Sequence, residues 1–131
     1  MVIVDTTVWV DYFNGVAAPH TDWLDRELDR QRLGLTDLIL SEVLQGVRDE
    51  REAAAARREL MRFEVLSMGG VPLAVAAAAN YRSLRAKGRT VRRTIDCWIG
   101  AFCLLNNHSL LHHDNDFEPF EEFLALRVIH P

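Results

Sequence analysis

The stretch VIVDTTVWV, residues 2–10, decides how the rest of the chain is read. Val2, Ile3 and Val4 form a short apolar run of the kind expected for a buried strand. Asp5 ends that run. Trp9, Tyr12 and Phe13 then fall on one side of a helix that Gly15 stops. Working outward, a second helix is expected over Thr21 to Arg32, with Asp22 and Asp25 early and Arg30 and Arg32 late, an order that complements the helix dipole. Leu33–Leu35 reads as a weak strand. Thr36 is the expected N-cap of a helix ending near Val47. Residues 49–62 are rich in Ala, Glu and Arg, strong helix formers.

Phe63–Ser67 is a strand candidate, and Pro72 opens the next helix. The apolar stripe of that helix is Leu73, Ala77, Tyr81 and Leu84, and Gly88 ends it. Thr94 is expected to cap another helix, to about Asn106. Ser109–His113 is a further strand and Leu126–Ile129 the last. This alternation predicts an α/β protein, a single domain over residues 1–131, with a mainly parallel central sheet of four to five strands flanked by helices.

Composition bounds the possibilities. Of the 131 residues, 49% are apolar and 26% charged, the balance of a globular domain rather than a disordered chain. Cys97 and Cys103 sit six apart in one expected helix, about 9 Å of rise, too far for a disulfide within it. A secreted disulfide scaffold is thereby disfavoured. The longest uncharged run, residues 65–81, is interrupted by Gly69, Gly70, Pro72 and Asn80, so no membrane span is expected. The N-terminus lacks the basic start and long apolar stretch of a signal peptide, which points to the cytoplasm. The formal charge of −4 and a pI near 5.7 give no overall sign of nucleic-acid binding.

Three acids keep unusual company. Asp5, Glu42 and Asp96 are each the only formal charge in segments that otherwise read as core: residues 1–10, 38–47 and 94–111. A carboxylate in such surroundings costs several kcal/mol unless it is paired or binds a metal. Each has a plainer reading: a turn residue, a solvent-facing helical acid, a first-turn acid favoured by the dipole. The strand ending in His112 and His113 adds a fourth acid, Asp114, with Asp116 two residues on. Ligands of parallel α/β sheets bind outside the carboxyl ends of the strands. Asp5 and Asp114 lie at such ends, and they converge if their strands are neighbours.

Two carboxylates about 5 Å apart repel by roughly 3 kcal/mol at an effective dielectric of 20, so a group of four calls for a cation. Hard oxygen ligands suit Mg²⁺ or Mn²⁺ better than zinc. His112 and His113, adjacent on a strand, point to opposite faces and make a poor chelating pair. They are expected to pack or hydrogen-bond at the rim. Trp9, Trp23 and Trp98 read most simply as core.

Four blocks, VIVDTTVWV, LTDLILSEVLQGV, TIDCWIGAFCLLNN and SLLHHDNDF, resemble the signature blocks of PIN-domain ribonucleases. Chain length and block order are most similar to the VapC toxins of bacterial toxin–antitoxin pairs. The resemblance covers nearly the whole chain, with the acids 37, 54 and 18 residues apart. It implies an acidic site of Asp5, Glu42, Asp96 and Asp114 with Asp116 as a fifth member, and Thr7 as the small hydroxyl after the first acid. It also implies a homodimer and a VapB-type antitoxin whose basic tail enters the crevice. HHDNDF departs from the threonine and arginine that many relatives carry before the last acid, which puts only the surrounding contacts in doubt.

The expected activity is divalent-metal-dependent hydrolysis of RNA phosphodiesters, and the resemblance implies products bearing a 5′-phosphate and a 3′-hydroxyl. Asp5, Asp96 and Asp114 are the expected metal ligands. The acid-free run over residues 82–93 contains Arg82, Arg85, Lys87, Arg89, Arg92 and Arg93, which are candidates for the RNA backbone. A solvated helix end and loop is its plainer reading. Rival classes remain open. A non-catalytic pocket receiving a basic peptide would use the same carboxylates. A haloacid-dehalogenase-like phosphatase would want Asp where Thr7 stands. A phosphoacceptor receiver domain would want paired acids after the first strand and a late lysine, whereas Lys87 is the only lysine.

Overall fold

The computed structural model describes residues 1–131. Four strands, β1 (Val2–Val4), β2 (Leu33–Thr36), β3 (Glu64–Leu66) and β4 (Ser109–Leu111), form one sheet in the order β3-β2-β1-β4. All three pairings are parallel, with Ile3 opposite Gly34 on one side and Leu110 on the other. Seven helices cover the sheet: α1 (Thr6–Phe13), α2 (Pro19–Glu27), α3 (Asp37–Gln45), α4 (Glu50–Leu60), α5 (Val71–Ala86), α6 (Thr94–Leu105) and α7 (Glu118–Leu124). A 3₁₀ turn over Asn115–Phe117 joins β4 to α7.

Local chemistry explains most boundaries. Thr36 caps α3, its hydroxyl accepting from the Ile39 N–H at 3.2 Å. Asp49 caps α4 by accepting from the N–H groups of Arg51 and Glu52. Pro72 sits in the first turn of α5, and Gly88, at φ +80°, takes the chain out of it. The helix that carries Asp96, α6, starts at Thr94 as expected, but its N-cap is Arg93 rather than Thr94 and no side chain caps it. The expected second helix is shorter: α2 begins at Pro19 and ends at Glu27, and residues 28–30 form turns that release the chain into β2.

Two expected strands change rank. Leu33–Leu35, weak in sequence, is part of an interior strand buried at all four positions. Gly34 permits this, because a Cβ there would lie 2.6 Å from the Met1 Sδ and 2.9 Å from the Glu64 carbonyl oxygen. Leu126–Ile129 contributes only one bridge, Leu110 to Val128, beyond β4.

The core is one cluster between sheet and helices that includes Trp9, Trp23, Leu24, Ile39, Leu60, Leu84, Ile99, Phe117 and Phe120. Trp98 packs against it half-buried. Gly100 brings α6 onto α7: a Cβ there would sit 2.6 Å from the Phe120 ring. Cys97 and Cys103 are buried and free, and burial pushes their thiols up to about 11 and about 12. No helix is long and apolar enough to cross a membrane.

Candidate metal centre

β1 and β4 lie side by side and run the same way, so their carboxyl ends open on one edge of the sheet. The Asp5 N–H donates to the Leu111 carbonyl at 2.9 Å, which carries the β1–β4 pairing up to the acid itself. Asp5 is also the N-cap of α1. Its Oδ2 accepts from the Thr7 N–H at 3.2 Å and from the Thr7 hydroxyl at 2.7 Å. The same hydroxyl accepts from the His113 N–H at 3.0 Å. Thr7 thus ties the start of α1 to the end of β4 and orients Asp5 between them.

The other acids arrive from three further segments. Glu42, on α3, accepts from the Thr6 hydroxyl at 2.7 Å. Asp96 lies in the first turn of α6. Asp114 caps the 3₁₀ turn, its Oδ1 accepting from the Asp116 N–H at 2.9 Å. The ligand oxygens of Asp96, Asp114 and Asp116 all lie within 4.8 Å of one another. Of the sequence-based site residues, Asp96, Asp114 and Asp116 form one close cluster, Asp5 and Glu42 lie within reach of its charges, and Thr7 joins Asp5 to the chain that follows β4.

Burial dominates the electrostatics. Asp5 is 3% exposed and Asp96 is 2% exposed. Loss of hydration pushes the Asp5 carboxyl up to about 6, and the Glu42 charge adds to the rise against the Thr7 hydrogen bonds. Asp96 is likewise pushed up to about 6 by burial, with Asp5 and Asp114 adding and Arg93 opposing.

Arg93 is the residue whose place the sequence did not disclose. Grouped with the basic run, it instead bridges two site acids: Nε donates to Asp96 Oδ2 at 3.2 Å and Nη2 to Asp114 Oδ2 at 3.0 Å. Its spacing three residues before Asp96, at a helix start, is the signal that could have found it. Arg92 reaches Asp116 at 3.3 Å.

The rest of the run faces elsewhere. Arg89 pairs with Glu122 at 2.6 Å, Lys87 and Arg89 lie over the Phe123 ring, and Arg85 lies over Tyr81. Arg82 lines a groove between α5 and α6. His112 and His113 sit at the rim. His112 Nδ1 accepts from the Asp114 N–H at 3.1 Å, its ring packs on Phe117, and burial lowers its pKa.

The donors are carboxylates and hydroxyls, all hard oxygens, and a guanidinium already bridges Asp96 and Asp114. Both the donor type and the need for positive charge fit a divalent cation.

The PIN domain family model matches residues 2–122. The chain belongs to the PIN-domain family. Among curated proteins it is similar to ribonuclease VapC11 of Mycobacterium tuberculosis, at 29% identity over 130 residues, covering 98% of this chain and 97% of that protein. Among solved structures it resembles VapBC2 from Rickettsia felis, bound to a DNA fragment from its promoter, with a TM-score of 0.78 and 15% identity over 98% of each chain. It also resembles VapBC-1 from nontypeable Haemophilus influenzae, with a TM-score of 0.74 and 18% identity, covering 98% of this chain and 97% of that one. These structural likenesses bear on the fold, including the parallel sheet that carries the acids.

Proposed function

We propose that this PIN-domain protein is a divalent-metal-dependent endoribonuclease of the VapC kind, the toxin of a toxin–antitoxin pair, neutralised by a VapB-type antitoxin. The observation that carries the reading is the meeting of Asp5, Glu42, Asp96 and Asp114, from four distant segments, at the carboxyl edge of β1 and β4. Near-full-length similarity to a VapC ribonuclease supports the substrate class. The reading includes Mg²⁺, or Mn²⁺ in its place, as the ion, the cytoplasm as the location and a homodimer as the assembly.

Asp5, Asp96 and Asp114 are the residues that would hold the ion, with Glu42 and Asp116 completing the acidic surround. Bound there, the ion supplies a water of lowered pKa and offsets charge on the phosphate. Thr7 holds Asp5 in position through its hydroxyl. Arg93, released from Asp96 and Asp114, is positioned to meet a phosphate oxygen, and Arg92 can do the same. Cleavage of the P–O3′ bond leaves a 5′-phosphate on one product and a 3′-hydroxyl on the other. Arg82, Arg85, Lys87 and Arg89 remain candidates for the flanking backbone, giving affinity rather than sequence choice.

A second reading has one observation in its favour. Arg93 shows that a guanidinium fits between Asp96 and Asp114, as it would in a pocket that only receives a basic peptide. One experiment separates the two. The purified protein is incubated with total RNA, with and without Mg²⁺ or Mn²⁺, and new ends are mapped. The enzyme reading expects ends bearing 5′-phosphate only with the metal, and loss of at least about 100-fold in rate for Asp96→Asn with the fold retained. Full activity in that variant, or no cleavage under any condition, refutes it.

A further inference from the structure

A second group of ligand atoms lies outside the acidic centre. Asp11 comes from α1, His20 from the first turn of α2 and His113 from the chain just after β4. His20 Nε2 donates to Asp11 Oδ2 at 2.8 Å, and His113 Nδ1 lies 3.4 Å from the same oxygen. All three ligand atoms are within 4.8 Å of one another. The two imidazole rings stack with centroids 4.2 Å apart.

We propose that Asp11, His20 and His113 form a second metal site, selective for a transition ion of the Zn²⁺ class. Two imidazole nitrogens and one carboxylate oxygen are the donors that borderline ions prefer, whereas Mg²⁺ favours oxygen. Zinc bonds of about 2.0–2.1 Å in a tetrahedron place ligand atoms roughly 3.3 Å apart. The 2.8 and 3.4 Å separations flank that value. The site is also built rather than merely superficial: His20 is 6% exposed, with its ligating nitrogen already aimed at Asp11. The His113 side chain is 65% exposed, so the cluster is open to solvent on that side. Three protein ligands with one open position is the pattern of zinc sites that also take water or a substrate group.

The site shares no residue with the acidic centre, yet His113 adjoins Asp114 and bonds Thr7 through its backbone N–H. An ion there would fasten α1, α2 and the end of β4 together beside the crevice. Spacing does not mark it, since His20 stands nine positions and a loop after Asp11 and His113 lies 93 positions further on.

The test uses tag-free protein and Co²⁺ as a coloured stand-in for Zn²⁺, followed by direct Zn²⁺ titration by calorimetry. RNA cleavage is not the readout, so the result is independent of the proposed ribonuclease activity. Wild type is expected to bind one equivalent with visible bands of a low-symmetry nitrogen–oxygen site, undisturbed by a 100-fold excess of Mg²⁺. His113→Ala removes an exposed ligand and leaves the His20–Asp11 bond in place, so its fold is safe. It should weaken binding at least tenfold, and His20→Gln should do the same. Asp96→Asn, which disables the acidic centre, should bind within threefold of wild type. Equal binding by wild type and His113→Ala overturns the proposal. So does binding lost in Asp96→Asn but kept in His113→Ala, which would put the ion among the acids and leave the trio a hydrogen-bonded tie.

Discussion

Asp5→Asn tests whether the site carries an electrostatic cost that the fold bears for function. The Asp5 carboxyl is raised from 3.8 to about 6, chiefly by burial. At about 1.36 kcal/mol per pH unit, the ionised group destabilises the metal-free protein by roughly 3 kcal/mol. The sign follows from proton counting. Between pH 3.8 and 6 the folded state holds more of the proton than the unfolded state does, so stability falls as pH rises through that window. The cost is fully present at pH 7.5, about half present at pH 5 and nearly gone at pH 4.

Asparagine removes the charge and keeps an N-cap of equal quality, with an oxygen to accept from Thr7. Denaturant unfolding of both proteins without metal, at pH 7.5, 5 and 4, should therefore show Asp5→Asn more stable by about 3 kcal/mol at the highest pH, roughly 10 °C in Tm. The gap should shrink to near zero at pH 4. Added Mg²⁺ should stabilise wild type more than the variant. A variant less stable than wild type at pH 7.5, or a gap that does not change with pH, would refute the reasoning.

Arg93→Gln frees Asp96 and Asp114 of their internal cation. Because the Arg93 side chain is 53% exposed, its ion pairing is credited with only about 1 kcal/mol after screening. Mn²⁺ affinity, read by titration calorimetry, should rise about fivefold, and unchanged or weaker binding would count against Arg93 as the competing cation. Gly100→Ala pushes a methyl into the Phe120 ring and should lower stability by about 1–3 kcal/mol in urea unfolding. A neutral result would mean that α6 and α7 are not held as closely as described.

Much of the site was legible because its signals are local. A charge alone in an apolar segment marked Asp5, Glu42 and Asp96, and a strand ending in acids marked Asp114. The caps at Thr36 and the stop at Gly88 were readable for the same reason, since each acts on its own turn of chain. What escaped was tertiary. Leu33–Leu35 looks weak alone and is interior because Gly34 lets Met1 and Glu64 approach. Leu126–Ile129 has the residues of a strand, yet only Val128 reaches Leu110. Arg93 was grouped by composition with neighbours that face another way, whereas the start of α6 turns it back onto Asp96. Asp11 and His20 carry no mark at all until folding stacks His20 on His113.

The most direct examination of the acidic centre is anomalous scattering from crystals soaked in Mn²⁺. The account predicts a peak bounded by carboxylate oxygens of Asp5, Asp96 and Asp114, with the Arg93 guanidinium swung away from both of its partners. A crevice without manganese at millimolar soak, Arg93 still seated on Asp96 and Asp114, would contradict it.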